Sequence, residues 1–231
     1  MTQPPPAAPQ QQVYYVQRRK PSYPVTWVLL AINVVVFVAE YTVAGFLDQV
    51  VLTYTATRTQ PWRLITSAFV HFGIFHIVLN MFALYMLGRP LELVLGRVKY
   101  LTLYLLSALG GSALFLVFAN PGLVPFQEPA AGGASGAIFG LFGALVVLQR
   151  YRVINAGNLI PILAFNLALS FLIPGIGWQA HIGGLIIGAG VAWAFMRGLR
   201  RETSTRTMWT EVALIGALVA ATIIASYTLL A

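Results

Sequence analysis

Seven apolar stretches, near residues 25–46, 74–95, 98–119, 135–149, 158–175, 179–197 and 209–230, take up most of this 231-residue chain. A helix needs about 20 residues to cross a hydrocarbon layer about 30 Å thick. Lipid offers the backbone no hydrogen-bond partners, so each stretch reads as a helix that satisfies its own polar groups. Glycine and proline inside such spans are tolerated better than in water. Composition agrees: 58% of residues are hydrophobic and 9% charged, against roughly 45–50% and 25% in soluble domains. Such a chain cannot hide its apolar surface in its own interior and still cover its outside with polar groups. Soluble globular, disordered and fibrous classes are excluded, and the expected fold class is an all-α integral membrane protein. Seven spans leave little room for a soluble domain. No convincing internal repeat is visible, which weighs against a transporter built from repeated halves. The absence of cysteine excludes disulfide, thiolate and iron–sulfur chemistry.

The net charge of +8 invites a nucleic-acid reading, but the positions of the charges oppose it. Arg18, Arg19 and Lys20 precede span 1. Arg97 and Lys99 follow span 2, Arg150 and Arg152 follow span 4, and Arg197, Arg200, Arg201 and Arg206 follow span 6. The opposite side holds only Arg58 and Arg63, in the loop 47–73, while loops 120–134 and 174–180 carry no Lys or Arg. The positive-inside rule then places the N-terminus in the cytoplasm and the C-terminus outside. Residues 1–23, rich in Pro and Gln with no apolar period, are expected to be a disordered cytoplasmic tail. They have no apolar h-region after a basic start and are not read as a secretory signal. Residues 24–231 are expected to form one polytopic membrane domain.

Polar side chains in hydrocarbon are costly and each needs a reason. His71 and His76 lie where the chain enters span 2 from outside, and His181 where it enters span 6 from outside. Asn80 shares a helix face with His76, about one turn deeper. Span 4 opens at Ser135, after the non-helical segment Ala130–Ala131–Gly132–Gly133. From Ser135 to Arg150 a helix is about 22 Å long, so Ser135 is expected roughly 8 Å below the outer hydrocarbon boundary. The segment before it must be buried in protein or line a watery cavity. Gly136, Gly140 and Gly143 on span 4, with Gly184 and Gly188 on span 6, are small residues at helical spacing. Close contact between those spans would set Ser135 beside His181, although plain helix packing also explains the glycines.

Ser135 suits two roles, a helix N-cap or a nucleophile activated by a base. Histidine, with a pKa near 6.5, can take the serine proton and return it to a leaving amine. A tetrahedral oxyanion needs donors in place beforehand. The Ser135 N–H at a helix N-terminus is one, and the Asn80 amide and a His76 ring N–H could complete the set. Of the six acids, Glu92, Glu202 and Glu211 belong to the cytoplasmic side, Glu40 and Asp48 lie at the end of span 1, and Glu128 lies in a loop. A Ser–His dyad therefore fits better than a triad. The chain has no HExxH and a single aspartate, which opposes a zinc metalloprotease and rules out a two-aspartate protease. Three histidines at one edge could still hold a metal. Arg89 and Glu92 are spaced for an i,i+3 ion pair. Trp62 and Arg63 read as an interfacial anchor and a snorkelling cation, and His71 as structural or near the rim. Tyr100 and Tyr104 read as packed in span 3 or bonded between helices. Asn158, Pro161, Asn166 and Pro174 make span 5 a candidate movable wall.

Four segments together resemble the rhomboid intramembrane serine proteases: Pro61–Trp62–Arg63, His71-x4-His76-x3-Asn80, Gly133–Ala134–Ser135–Gly136, and Ala180–His181–Ile182–Gly183–Gly184. They cover about half the chain in the family's order. The resemblance implies a six-helix core, about 24–200, with one extra C-terminal helix, about 208–231. It implies Ser135 as nucleophile, His181 as general base and acid, and His76 and Asn80 as oxyanion donors, with no cofactor or metal. Phe139 holds the position whose ring packs on the catalytic histidine, where many members have Tyr. The implied substrates are transmembrane proteins, cut at or near the outer ends of their spans, with membrane lipids as the other partner and nucleic acid excluded. The implied location is the cell membrane, with the active site opening to the non-cytoplasmic side. The remaining alternatives are an inactive rhomboid-like protein that binds membrane proteins without cutting them, and an unrelated seven-helix transporter or channel.

Overall fold

A computed structural model describes residues 22–120, 128–154, 159–173 and 175–228. The expected tail, apart from its last two residues, and Asn158 and Pro174 of the expected movable wall lie outside the described residues. Among the described residues, five helices are long and apolar enough to cross a membrane: α1 (Pro24–Thr42), α5 (Ile74–Leu95), α6 (Arg97–Phe118), α9 (Trp178–Leu199) and α10 (Thr205–Thr228). Two apolar helices are shorter, α7 (Ser135–Arg150) and α8 (Leu159–Leu172). The chain is thus an all-α, multi-pass integral membrane protein. Large apolar side chains stay exposed along α5, where Phe75, Leu79 and Phe82 share one face, as a lipid-facing surface requires.

Between α1 and α5 the chain is not a simple loop. It forms α2 (Phe46–Val50), strand β1 (Leu52–Thr53), α3 (Tyr54–Thr59), α4 (Arg63–Thr66) and a 3₁₀ turn at Ser67–Phe69. β1 pairs antiparallel with β2 (Ala130–Ala131), matching Leu52 to Ala131 and Thr53 to Ala130. Arg63 holds this segment together and corrects the snorkelling reading. It is only 4% exposed. Its guanidinium donates to Gln60 Oε1 at 2.8 Å, to Val51 O at 2.7 Å and to Asp48 O. A chain folded back on itself leaves carbonyls pointing inward, and the five donors of a guanidinium satisfy several at once. Trp62 is exposed and donates its indole N–H to Gln49 O at 3.1 Å.

The expected Arg89–Glu92 ion pair does not form. Helix α1 begins with Pro24 at its first turn and has no side-chain cap of its own. Glu92 supplies one from α5, accepting from Val25 N–H at 2.9 Å and from the Thr26 N–H and Oγ1, each at 2.8 Å. A carboxylate is well placed there, against unpaired amides and the positive end of a helix dipole. Arg89 turns the other way, donating to the hydroxyls of Tyr85 at 2.6 Å and Tyr23 at 2.7 Å. Tyr100 and Tyr104 are fully buried and pack in the core, with the Tyr100 hydroxyl against Gly88 of α5.

Helix α7 is the centre of the bundle. Every residue from Gly136 to Leu145 is buried, enclosed by α5, α6 and α9. The close approach of α7 and α9 depends on glycine. A Cβ at Gly184 would overlap Gly136 O, one at Gly188 would overlap the Gly140 backbone, and one at Gly143 would overlap Leu185 O. The small residues thus let backbone meet backbone, giving dispersion contacts that larger side chains would prevent. Helix α6 joins the same cluster through Gly110 and Gly111, which face Gly183 O and Ala180 O. Helix α10 packs on α6 and α9. An Arg197–Glu211 ion pair at 2.5 Å and the bond from Tyr54 OH to Ser226 O at 2.9 Å hold it there. Helix α8 is the least enclosed: of its residues 161–172, only Ser170 is buried.

Candidate active site

Ser135 is the first residue of α7, so its backbone N–H is free of intrahelical bonding. The chain reaches it through β2 and through Gly133, whose N–H donates to Ser67 O at 2.8 Å. The pairing of β1 with β2 therefore fixes where α7 starts. Gly133 has φ +137°, a conformation that L residues rarely adopt.

His181 lies in the first turn of α9 and is 7% exposed. Its Nε2 is 2.8 Å from Ser135 Oγ. The Phe139 ring, one turn below Ser135, stacks on the imidazole with centroids 4.2 Å apart and planes 10° from parallel. The packing of α7 on α9 through Gly136 and Gly184 brings the two side chains together. Between Ser135 and His181 an imidazole nitrogen faces a hydroxyl within bonding reach, and a flat ring fixes the plane of that imidazole.

His76 comes to the same place from α5. Its Nδ1 accepts the Phe72 N–H at 3.2 Å, so its ring proton belongs on Nε2. That edge lies close to Ser135: a Cβ at Gly133 would sit 2.9 Å from His76 Cε1 and Nε2, and 3.5 Å from Ser135 Oγ. Residue 133 therefore has no room for a side chain beside the His76 ring. Asn80 is buried one turn below His76, and its amide donates to His76 O at 2.8 Å. Asn80 thus bonds to its own helix rather than to Ser135 or His181. His71 is buried behind His76, with the two rings edge to face at 5.0 Å. Its N–H donates to Glu40 Oε1 at 3.0 Å and its Nδ1 to Phe69 O at 3.1 Å. Burial, and then the nearby His76 imidazole, push its pKa down to about 4. His71 is therefore neutral at physiological pH and anchors the start of α5. Glu128 accepts from Thr55 N–H at 2.6 Å, a contact that secures α3.

Two features of this site are not legible in residue order. One is the role of Gly133 within its motif, since any side chain there would collide with the His76 ring. The other is Ser170 of α8, 3% exposed, whose Oγ is 2.7 Å from His181 Nδ1. Ser170 lies at the same end of the bundle as His181, but a lone hydroxyl in an apolar stretch carries no spacing signal that marks it.

A sequence model of the Rhomboid domain matches residues 58–198, a range that contains Ser135, His181, His76, Asn80 and Ser170. The chain is 36% identical over 136 residues to "RHOMBOID-like protein 6, mitochondrial" of Arabidopsis thaliana, covering 56% of this chain and 42% of that protein. It is 37% identical over 133 residues to "Rhomboid protease GluP" of Bacillus subtilis (strain 168), covering 55% of this chain and 24% of that protein. It is 29% identical over 199 residues to "Rhomboid protease GlpG" of Salmonella typhi, covering 80% of this chain and 68% of that protein. The chain thus matches less than half the length of the Arabidopsis relative and about a quarter of the Bacillus one. The domain match takes in more than half of the chain and runs from α3 to α9, so this chain belongs to the rhomboid family.

Proposed function

We propose that the chain is a serine endopeptidase that hydrolyses peptide bonds at or near the outer ends of transmembrane segments of other membrane proteins. The observation that carries this reading is the 2.8 Å contact of Ser135 Oγ with His181 Nε2, in a family that includes named proteases. Ser135 Oγ attacks the substrate carbonyl carbon while His181 Nε2 takes the hydroxyl proton. The oxyanion is held by the Ser135 N–H, the His76 Nε2–H and the second N–H of the Asn80 amide. His181 passes its proton to the leaving amine, and the acyl-enzyme is released by a water whose proton goes to the same nitrogen. A helical carbonyl is shielded and already bonded, so the substrate helix unwinds first, and Gly or Pro near the bond favours cleavage.

Six helices, α1 and α5 to α9, form the core, and α10 is a seventh span. Residues 24–231 act as one membrane domain with the N-terminus in the cytoplasm, following the placement of Lys and Arg. The site then opens to the non-cytoplasmic side of the cell membrane. The exposure of α8 supports its role as the wall past which substrate reaches Ser135 from the lipid.

The test is labelling of purified protein by a fluorophosphonate, together with cleavage of a transmembrane substrate in proteoliposomes. Labelling and cleavage are expected in the wild type and absent in Ser135→Ala and His181→Ala. Cleavage undiminished in either variant overturns the reading. A folded wild type that takes no label but still binds transmembrane segments points instead to the inactive binding protein.

A further inference from the structure

His181 has two ring nitrogens, and the reaction constrains both. To take the Ser135 proton, Nε2 must be unprotonated, so the neutral ring must carry its hydrogen on Nδ1. A free histidine favours the opposite tautomer, and the partner of Nδ1 decides which one a protein holds. That partner here is Ser170.

A hydroxyl has one proton to donate. Ser170 Oγ is 2.8 Å from Asn166 O, a carbonyl that can only accept, and the Ser170 proton goes there. The lone pairs that remain face His181 Nδ1 at 2.7 Å, so Nδ1 must be the donor. The chain of bonds runs from Ser135 Oγ–H to His181 Nε2, from His181 Nδ1–H to Ser170 Oγ, and from Ser170 Oγ–H to Asn166 O. All three donors point one way, from α7 through α9 to α8. The placement of the six acids in the sequence points to a dyad without an acidic third member. A backbone-anchored hydroxyl takes that place without a buried charge.

We infer that Ser170 is a positioning residue that holds His181 in the Nδ1–H tautomer and steadies the imidazolium formed when Ser135 gives up its proton. The inference rests on the protease reading above. The Nδ1–H···Oγ bond strengthens as the ring becomes positive, because charge-assisted hydrogen bonds are the stronger kind. Loss of the Ser170 hydroxyl leaves Nδ1–H buried without an acceptor, shifts the neutral ring toward Nε2–H, and disfavours the imidazolium. Among the described residues, the groups facing His181 are Ser135 and Phe139 from α7, Ser170 from α8 and His76 from α5. His76 is the titratable one among them.

The experiment compares Ser170→Ala, Ser170→Thr and Ser170→Val in proteoliposomes, measuring kcat, KM and the pH profile of kcat/KM. Thr and Val have nearly the same shape and differ in the hydroxyl. Ser170→Ala and Ser170→Val are expected to lower kcat about 10- to 100-fold, the range for a hydrogen bond to a charged group, with KM little changed. Their acid limb moves to lower pH. Ser170→Thr is expected to restore kcat to within a few-fold and to return the acid limb to its wild-type position. If Thr and Val behave alike, active or inactive, the hydroxyl is not what matters and the inference falls. It also falls if Ser170→Ala leaves kcat and the acid limb unchanged. Ser135→Ala run alongside separates the two readings. An inactive Ser135→Ala with matching Thr and Val variants removes only the role of Ser170, whereas an active Ser135→Ala removes the protease reading itself.

Discussion

Replacing Gly184 by alanine tests whether helix spacing sets the Ser135–His181 distance. The new Cβ would overlap Gly136 O and lie 2.7 Å from Gly136 C, where ordinary contact begins at 3.4 Å. The clash is with backbone, so no side chain can turn away. Helices α7 and α9 must part by at least the 0.7 Å between those distances, and the closer oxygen overlap raises this beyond about 1 Å. Ser135 adjoins Gly136 on one helix, and His181 lies one turn above Gly184 on the other. The displacement therefore reaches Ser135 Oγ and His181 Nε2 almost undiminished, taking a 2.8 Å hydrogen bond out of bonding range. A misplacement of about 1 Å costs roughly 100-fold in rate, and overpacking of this kind destabilises by about 1–3 kcal/mol. The assay is the second-order rate of fluorophosphonate labelling in detergent, with thermal unfolding followed on the same samples. Gly190→Ala on the same helix is the control, since its Cβ would meet only Ile215 Cδ1 at 3.5 Å. A Gly184→Ala protein that labels as fast as Gly190→Ala would refute the claim that glycine contact sets the site.

Three other outcomes are expected. Gly133→Ala should lose both labelling and cleavage by about 100-fold or more. Its Cβ would press on the His76 ring beside Ser135, where the proposed mechanism puts the oxyanion, and φ +137° strains any side chain there; retained cleavage would move the oxyanion site elsewhere. Glu92→Ala should lower stability by about 3 kcal/mol, read as the unfolding midpoint in detergent. It strands two amides and a hydroxyl at the start of α1, and an unchanged midpoint would show that α1 needs no such cap. For His71 the folded pKa is about 4 against an ordinary 6.5. The lowered value means its contribution is intact above pH 6.5 and is lost as pH falls from 6.5 through 4. That amounts to about 3 kcal/mol at the acid end. His71→Gln should flatten the stability profile over this window, and a profile unchanged by the substitution would place the acid sensitivity elsewhere.

The structure departs from the sequence reading where a side chain had several partners within its reach. Arg89 and Glu92 are correctly spaced for each other on α5, yet each bonds elsewhere, because the start of α1 offers amides in need of an acceptor and Tyr23 and Tyr85 offer hydroxyls. Arg63 looked like a surface cation because composition says nothing about a segment that folds its carbonyls inward. In both cases local spacing named a possible contact, and the competing partners were brought by distant parts of the chain. The first apolar stretch runs to residue 46, yet α1 ends at Thr42, since hydrophobicity continues into the turn before α2 and cannot mark where a helix stops.

The sequence by itself determined that this protein lives in a membrane as a set of helices, because 9% charge leaves no way to cover such a chain in water. The four rhomboid-like segments, too, were legible as residue types in order. Only the tertiary structure decided which atoms meet. The glycines of α7 and α9 show their purpose once the backbones touch, and Ser170 faces His181 because α8 and α9 turn back on each other across residues that separate them in sequence. Hydrophobic periodicity constrains what each helix buries, but the atom opposite a given nitrogen depends on how helices cross, and that is a property of the whole bundle.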